Sequence, residues 1–262
     1  MVGTLIVTVS NSGPMTVEAW GAEDRLDRLT VAVHDSRLDI DAAGTEDNRS
    51  VWDWHHWLDF SEAAPGAHDL TVRVGVPRGT DIAVENLVGD ANIGDTQGNL
   101  KFEASATRAK IGHVASAKLA LGGSGKLVIA GVTGALKLDV GGAGKIVTGP
   151  LGSLKANIVG SGDARFGPIA GALDIDIAGA GDVSSPRING PANVAIAGSG
   201  SVKIADGTAD PLHVEILGAG NFDFGGVAVD PRVDAFGSGN VRIRAYRGHL
   251  SSAGMADVKI GD

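Results

Sequence analysis

Apolar and polar residues alternate with a period of two through most of this chain. In the stretch IAGSGSVKIADG, residues 196–207, small apolar residues lead into a Gly-Ser-Gly triplet, and the alternation then resumes. Similar G-[SA]-G triplets recur at intervals of 17 to 20 residues. Their first glycines are Gly123, Gly142, Gly160, Gly179, Gly198, Gly218 and Gly237, with a degenerate copy at Gly254.

The positions around each triplet predict two short strands per repeat. Residues four and two positions before the triplet are nearly all apolar, as are residues two and four positions after its last glycine. Because strand side chains alternate between two faces, each strand has one inward face, and the triplet forms the corner between them. One inward column is expected to stack Leu121, Val140, Ile158, Ile177, Ile196 and Ile216; in the last copy the inward positions fall on Leu250 and Ser252.

Repeats of this length predict an all-β, single-stranded parallel β-solenoid with coils of roughly 19 residues. Two short strands cannot bury an apolar face alone, so successive repeats must stack on one another. Glycine suits the corner because it tolerates positive φ and lets neighbouring backbones approach closely. Since parallel crossovers are right-handed in about 98% of cases, a right-handed β-helix is expected.

The middle residue of the triplet alternates between serine and alanine through seven copies, beginning with Ser124 and Ala143. One hypothesis is a two-coil repeat in which each serine hydroxyl bonds to the corner of a neighbouring coil. The other is that the alternation only reflects how the repeats were duplicated.

The pattern loosens before Gly123 and divides the chain into two parts. Residues 70–76 are predicted to form a strand, and shorter strands follow it, so residues 70–262 are assigned to the solenoid, with regular repeats over 119–260. Residues 1–69 also alternate in places and are expected to be an N-terminal β cap or irregular first coils. A cap would cover a solenoid end, which is otherwise an open sheet edge.

Composition excludes several classes of protein. The 262 residues contain no apolar run long enough for a transmembrane helix, so no transmembrane segment is expected. The formal charge of −9 opposes phosphate binding and argues against a nucleic-acid partner. Without cysteine there are no disulfides or thiolate metal sites. The first residues do not resemble a secretion signal, which leaves a cytoplasmic protein, or one whose leader has been removed, as alternatives.

The stretch VWDWHHWLDF, residues 51–60, interrupts the repeat and contains three of the four tryptophans. If extended, it places Trp52 and Trp54 on one face, and His55 and Trp57 on the other. A hydrophobic plug that closes the solenoid is one interpretation. The alternative is an exposed aromatic platform for sugar rings, which makes these four residues candidate ligand contacts. A metal site at Asp53, His55 and Asp59 is a weaker alternative.

A second candidate lies in the outward column three residues before each first glycine. There Glu215 and Asp234 are expected on adjacent coils, close enough to share a cation, although a solvated rod surface also explains them. Acids following the corner, such as Asp163 and Asp182, only loosely match calcium-binding repeats. No Ser-His-Asp arrangement or phosphate loop is recognisable, so no catalytic residue, cofactor or metal site is predicted.

The serial phrases of this chain resemble a known family, the putative auto-transporter adhesin head domain, also called the head GIN domain, and related putative surface adhesins. The matching phrases include Ile158-Val-Gly-Ser-Gly-Asp163, Ile177-Ala-Gly-Ala-Gly-Asp-Val183 and Phe236-Gly-Ser-Gly-Asn-Val241, together with LTVRVGVPRGTDIAVENLVGDANIG at residues 70–94. The likeness covers residues 70–262 well and the N-terminal part more loosely. It implies a β-helix exported to a bacterial envelope, in the periplasm, on the outer surface or secreted, with no catalytic residues to carry over.

These observations predict a non-enzymatic adhesion or structural module of the bacterial envelope or cell surface. A carbohydrate-binding or carbohydrate-cleaving β-helix and a scaffold that polymerises end to end are the two alternatives. The expected partner is a surface glycan or a protein, and a homo-oligomer through the ends or faces of the solenoid is left open.

Overall fold

The computed structural model describes residues 2–34, 37–42, 70–254 and 257–261. These residues are nearly all β, and parallel stacked coils of about 19 residues form a β-solenoid of about nine turns, as the sequence predicts. Within the described ranges, the one helical element is the single turn α1 (Glu23–Leu26). The handedness of the coil stays a prediction.

Along the described ranges, the strands follow one another with few interruptions. They are β1 (Val2–Ser10), β2 (Thr16–Trp20), β3 (Leu29–His34), β4 (Arg37–Ala42), β5 (Leu70–Pro77), β6 (Ile82–Ile93), β7 (Asn99–Val114), β8 (Ser116–Leu121), β9 (Lys126–Gly142), β10 (Lys145–Thr148), β11 (Leu151–Gly160), β12 (Asp163–Arg165), β13 (Leu173–Gly179), β14 (Asp182–Ser185), β15 (Ile188–Gly198), β16 (Ser201–Ile204), β17 (Gly207–Gly218), β18 (Asn221–Val229), β19 (Arg232–Gly237), β20 (Asn240–Arg247), β21 (Ser251–Gly254) and β22 (Asp257–Ile260).

The strand segments form two long faces that meet at the glycine triplets. Face A consists of the segments before the triplets, such as 117–121 in β8 and 154–160 in β11. Face B consists of the segments after them, such as 126–129 in β9 and 145–148 in β10. On both faces each residue lies opposite its counterpart in the next coil, because parallel pairing keeps equivalent positions in register.

The predicted interior column is confirmed. Leu121, Val140 and Ile158 lie opposite one another, and Ile177, Ile196 and Ile216 continue the column, all at most 2% exposed. Aromatic residues fill the core from face B, where Phe222 and Phe224 have ring centroids 6.5 Å apart. This continuous apolar core is the main source of stability for coils that could not bury a face alone.

A third, short side closes each coil and was missing from the sequence-based prediction of two strands per repeat. From Val114 to Ile188 it contributes one buried apolar side chain per coil, and these residues pair across coils. A single inward residue gives no alternation from which a strand could be recognised. The column contains Val114, Val132, Leu151, Ile169 and Ile188.

Main-chain hydrogen bonds join the corners of neighbouring coils, and they are the same whether the middle residue of the triplet is serine or alanine. The amide of Ser199 donates to the carbonyl of Gly179, and the amide of Ala219 donates equally to Gly198, both at 2.9 Å. No side-chain hydrogen bond is formed by the hydroxyls of Ser124, Ser161 or Ser199 to any described residue. The hypothesis that the hydroxyls link neighbouring corners therefore has no support in the described coils.

Strand β1 is part of the solenoid sheet. It pairs in parallel with β5 on one side and with the end of β6 on the other, so Gly3 lies between Leu70 and Gly89. Strand β2 pairs antiparallel with β5 at the outer edge, and β3 and β4 form a separate hairpin. The division of the chain after residue 69 stays a prediction.

The register of the last coil differs from the prediction. Ser252 lies opposite Val233, and Gly254 lies opposite Ala235, so face A is displaced by two residues from the predicted positions of Leu250 and Ser252. The turn before the strand sets this register, because Asp230 accepts a hydrogen bond from the amide of His249 at 2.8 Å. Val258 nevertheless lies opposite Val241 on face B, because the segment between the two faces is two residues shorter in this coil than in the preceding one.

Candidate functional site

Glu215 and Asp234 lie directly opposite each other on adjacent strands of face A, in the outward column that the sequence indicated. The carboxylate of Asp234 accepts a hydrogen bond from Nε of Arg232 at 2.8 Å and lies 4.0 Å from Nε2 of His213. The charge of Asp234 is therefore balanced within the chain. Among the residues that the structure describes, no three His, Cys, Asp or Glu side chains are grouped as a metal site would require.

A shallow, open groove of about 220 Å³ lies beside this pair on face A. Alanines form its floor, and Asp176 and Glu215 line it together with Leu217. Alanine leaves the backbone accessible, so a ligand could contact the sheet itself while the acids stay in solvent. The alanines are Ala178, Ala195 and Ala197.

An exposed apolar column borders the groove and was missed by the sequence analysis. Val159, Leu217 and Phe236 are about half exposed, at 51%, 49% and 51%, and they share the position directly before the corner glycine. The sequence contains this signal, because that position contains valine, alanine, alanine, leucine and phenylalanine in five successive coils. Contiguous exposed apolar residues are typical of a surface that binds a partner.

A second groove, of about 260 Å³, lies on face B. Asp163 and Asp182 line one side of it, and Arg165 and Lys203 line the other. Facing columns of opposite charge can bind polar ligands, but neighbouring cations also offset the charge of the carboxylates.

Other carboxylates stabilise the turns. Asp81 accepts hydrogen bonds from the amide of Asn99 at 2.7 Å and from its side-chain Nδ2 at 3.1 Å, and these bonds hold the pKa of Asp81 below its ordinary value. The amide and ring of His113 lower the pKa of Asp95 in the same way. At Asp206, the amide of Gly207 and the guanidinium of Arg187 lower the pKa. The bonds from Asn99, His113 and Arg187 connect neighbouring coils, so their role is structural.

The tryptophan-rich stretch lies outside the described residues. Trp52, Trp54, His55 and Trp57 therefore stay candidates from sequence, and the choice between a plug and an aromatic platform stays open. In the described part, Trp20 lies at the edge on β2, where the guanidinium carbon of Arg73 is 5.1 Å from the ring centroid.

Comparison with known proteins identifies the family of this chain. In the described part of the chain, no helix has the length and apolar character needed to cross a membrane. No curated protein matches the chain significantly. The sequence model of a family described as putative auto-transporter adhesin, head GIN domain, matches residues 2–187, which is more than half of the chain. The chain therefore belongs to the putative auto-transporter adhesin, head GIN domain family.

Proposed function

We propose that this protein is a non-catalytic adhesion module of the bacterial envelope or cell surface. The observation that carries the proposal is the exposed apolar column of Val159, Leu217 and Phe236 beside the groove on face A. Burying half-exposed leucine and phenylalanine against a partner releases water from apolar surface and favours association. The family description, which names an adhesin, supports the same function and a location at the cell surface.

The arrangement of acids supports binding in preference to catalysis. Hydrolysis or elimination on a polysaccharide needs an acid and a base that converge on one bond. On face A, Asp176, Glu215 and Asp234 follow one column along the rod, and Asp234 is bound to Arg232. Such columns suit an extended ligand that contacts several coils.

The test is adhesion of beads coated with the purified chain to bacterial cells and to isolated envelope material. Leu217→Ser combined with Phe236→Ser should reduce bead binding about tenfold, because two apolar contacts are lost. The matched control is Val31→Ser combined with Val33→Ser, since these two exposed valines lie on β3, away from the groove.

Two results would contradict the proposal. Beads that bind neither cells nor envelope material would exclude an adhesive role. Release of shortened glycan from the envelope material by the purified chain would show catalysis and favour the carbohydrate-cleaving alternative.

A further inference from the structure

Charge is distributed unevenly along the solenoid. Residues 99–162 contain eight Lys and Arg but only two Asp and Glu, although the whole chain has a formal charge of −9. Residues 1–98 contain six basic and seventeen acidic residues, and residues 163–262 contain eight and twelve. The coils over residues 99–162 therefore form a basic band in an otherwise acidic protein.

Five cations on face B, four of them from this band, form a compact group in two outward columns, here called the basic patch. Arg108, Lys126 and Lys145 lie opposite one another on consecutive strands. The neighbouring column begins with Lys110 and ends with Arg165, and Val128 and Val147 lie between these two cations. The basic patch thus consists of Arg108, Lys110, Lys126, Lys145 and Arg165, all exposed.

The cations of the basic patch form no ion pair with any described carboxylate. On face A, by contrast, Lys101 contacts Glu85 and Glu103, and Lys155 contacts Asp174. Acids do occur at both ends of the column of Arg108, Lys126 and Lys145. There Asp90 lies opposite Arg108, and Asp163 lies opposite Lys145. Between those ends, like charges are held one strand apart, so an external anion would relieve their repulsion.

We propose that the basic patch is a docking site for a linear acidic polysaccharide that has one carboxylate per sugar and runs along the solenoid axis. This inference rests on the proposed adhesive function and specifies its ligand. Neighbouring strands are about 4.8 Å apart, so the column presents one cation per coil at that interval. A 1,4-linked chain of uronic acids presents its sugars at a closely similar interval.

The column of Arg108, Lys126 and Lys145 and the valines of the neighbouring column fit such a chain. Positions two residues apart on a strand are separated by about 6.6 Å, which leaves room for a sugar ring above Val128 and Val147. The C–H face of the ring would pack on the valines, and carboxylates on the edge that faces Lys126 and Lys145 would accept hydrogen bonds from these lysines. Arginine at opposite ends, Arg108 and Arg165, can bind a carboxylate with two parallel hydrogen bonds.

Other polyanions fit the spacing less well. Acidic side chains on one face of an extended peptide recur about every 6.7 Å, and phosphates of one duplex DNA strand recur about every 3.4 Å along the axis. A stiff duplex would also run onto the acidic coils on both sides of the band. A flexible glycan can leave the surface after contacting four coils.

The experiment is titration calorimetry of the full chain with hexagalacturonate, using the fully methyl-esterified hexamer as the uncharged control. Wild-type protein should bind the acid form, bind more weakly as salt rises, and not bind the ester. Lys126→Glu combined with Lys145→Glu should bind at least about tenfold more weakly, because the loss of even one charge-assisted hydrogen bond is worth about that factor. Lys126→Arg combined with Lys145→Arg should retain binding.

The matched control is Arg242→Glu combined with Arg244→Glu, which changes the net charge equally at two exposed positions of β20, on another coil. This variant should bind within about twofold of wild type. Absence of wild-type binding, equal loss in both double variants, or tighter binding of a single-stranded DNA oligomer would overturn the inference. Bead adhesion measured in parallel separates the proposals: adhesion that survives Lys126→Glu with Lys145→Glu leaves the adhesive function intact and removes only the glycan site.

Discussion

At the scale of single residues, the corner at residues 198–200 depends on two glycines for different physical reasons. Gly198 has φ of +130°, and a Cβ atom there would lie 2.3 Å from the carbonyl oxygen of Gly179. Gly200 lies outside the positive-φ region, but its Cβ would lie 2.7 Å from the carbonyl oxygen of Gly181. The first glycine is needed for both conformation and space, and the second for space alone.

Gly198→Val should lower the free energy of unfolding by more than about 1 kcal/mol, because a β-branched residue tolerates neither the positive φ nor the backbone contact. The control is Gly141→Val, one residue before a corner glycine, where nothing lies within 4 Å of the added Cβ. That change should stay within about 0.5 kcal/mol of wild type. Chemical denaturation measures both, and a Gly198→Val protein as stable as wild type would disprove the role assigned to the corner.

At the scale of secondary-structure elements, side chains in the turns fix the spacing between successive coils. Asp81 accepts the amide hydrogen of Asn99 one coil on, and the side-chain oxygen of Asn99 accepts a hydrogen bond from the hydroxyl of Ser116 on the next coil at 2.6 Å. Asp95 binds the amide of His113 in the same manner. Because the strands are in register, each such bond positions a whole coil, as the displaced strand after Asp230 illustrates.

These bonds predict an acid-dependent loss of stability. The pKa of Asp81 is lower in the folded chain than its ordinary value of 3.8, so the ionised group stabilises the fold above that pH. The contribution is lost as pH falls below about 3.8 and through the folded pKa. Asp81→Asn should therefore lower the melting temperature at neutral pH and flatten its decline in acid.

Melting curves between neutral pH and strong acid provide the measurement for Asp81→Asn. The control is Asp182→Asn, because the carboxylate of Asp182 makes no side-chain hydrogen bond in the described coils. This control should follow the wild-type curve. If Asp81→Asn also followed it at every pH, the turn bond would contribute nothing to stability.

At the scale of the whole molecule, the residues of the last described coil affect whether one solenoid can pair with another end to end. Face A of that coil has Ser252 and Gly254 where earlier coils have buried apolar residues such as Val233. On face B, Lys259 forms an ion pair with Asp257 at 3.2 Å, beside the half-buried Val258 and Ile260. Polar and charged residues on an edge strand discourage pairing with another chain.

The wild-type chain should therefore sediment as a single species whose size does not change with protein concentration. Ser252→Val restores an apolar residue opposite Val233 and should promote self-association. Sedimentation velocity distinguishes the two proteins, and Val33→Ser, far from this coil in the sequence, serves as the control. Concentration-dependent growth of wild-type particles would instead favour the alternative of an end-to-end scaffold.

The sequence by itself determined the repeated part of the fold. The inward column from Leu121 to Ile216 and the corners at residues such as Gly198 were predicted because both follow from local rules. Alternation with a period of two assigns residues to faces, and glycine marks positions that exclude a side chain. Neither rule needs contacts that are distant in the chain.

The tertiary structure alone decided which distant residues became neighbours. It placed β1 between β5 and β6, which the alternation does not indicate. It also placed Arg108, which precedes the regular repeats, in one column with Lys126 and Lys145. Coil length varies from 17 to 20 residues, so alignment between coils depends on how each turn accommodates the difference. Turn geometry is set by hydrogen bonds between coils, such as Asp230 to His249, which exist only after the coils have stacked.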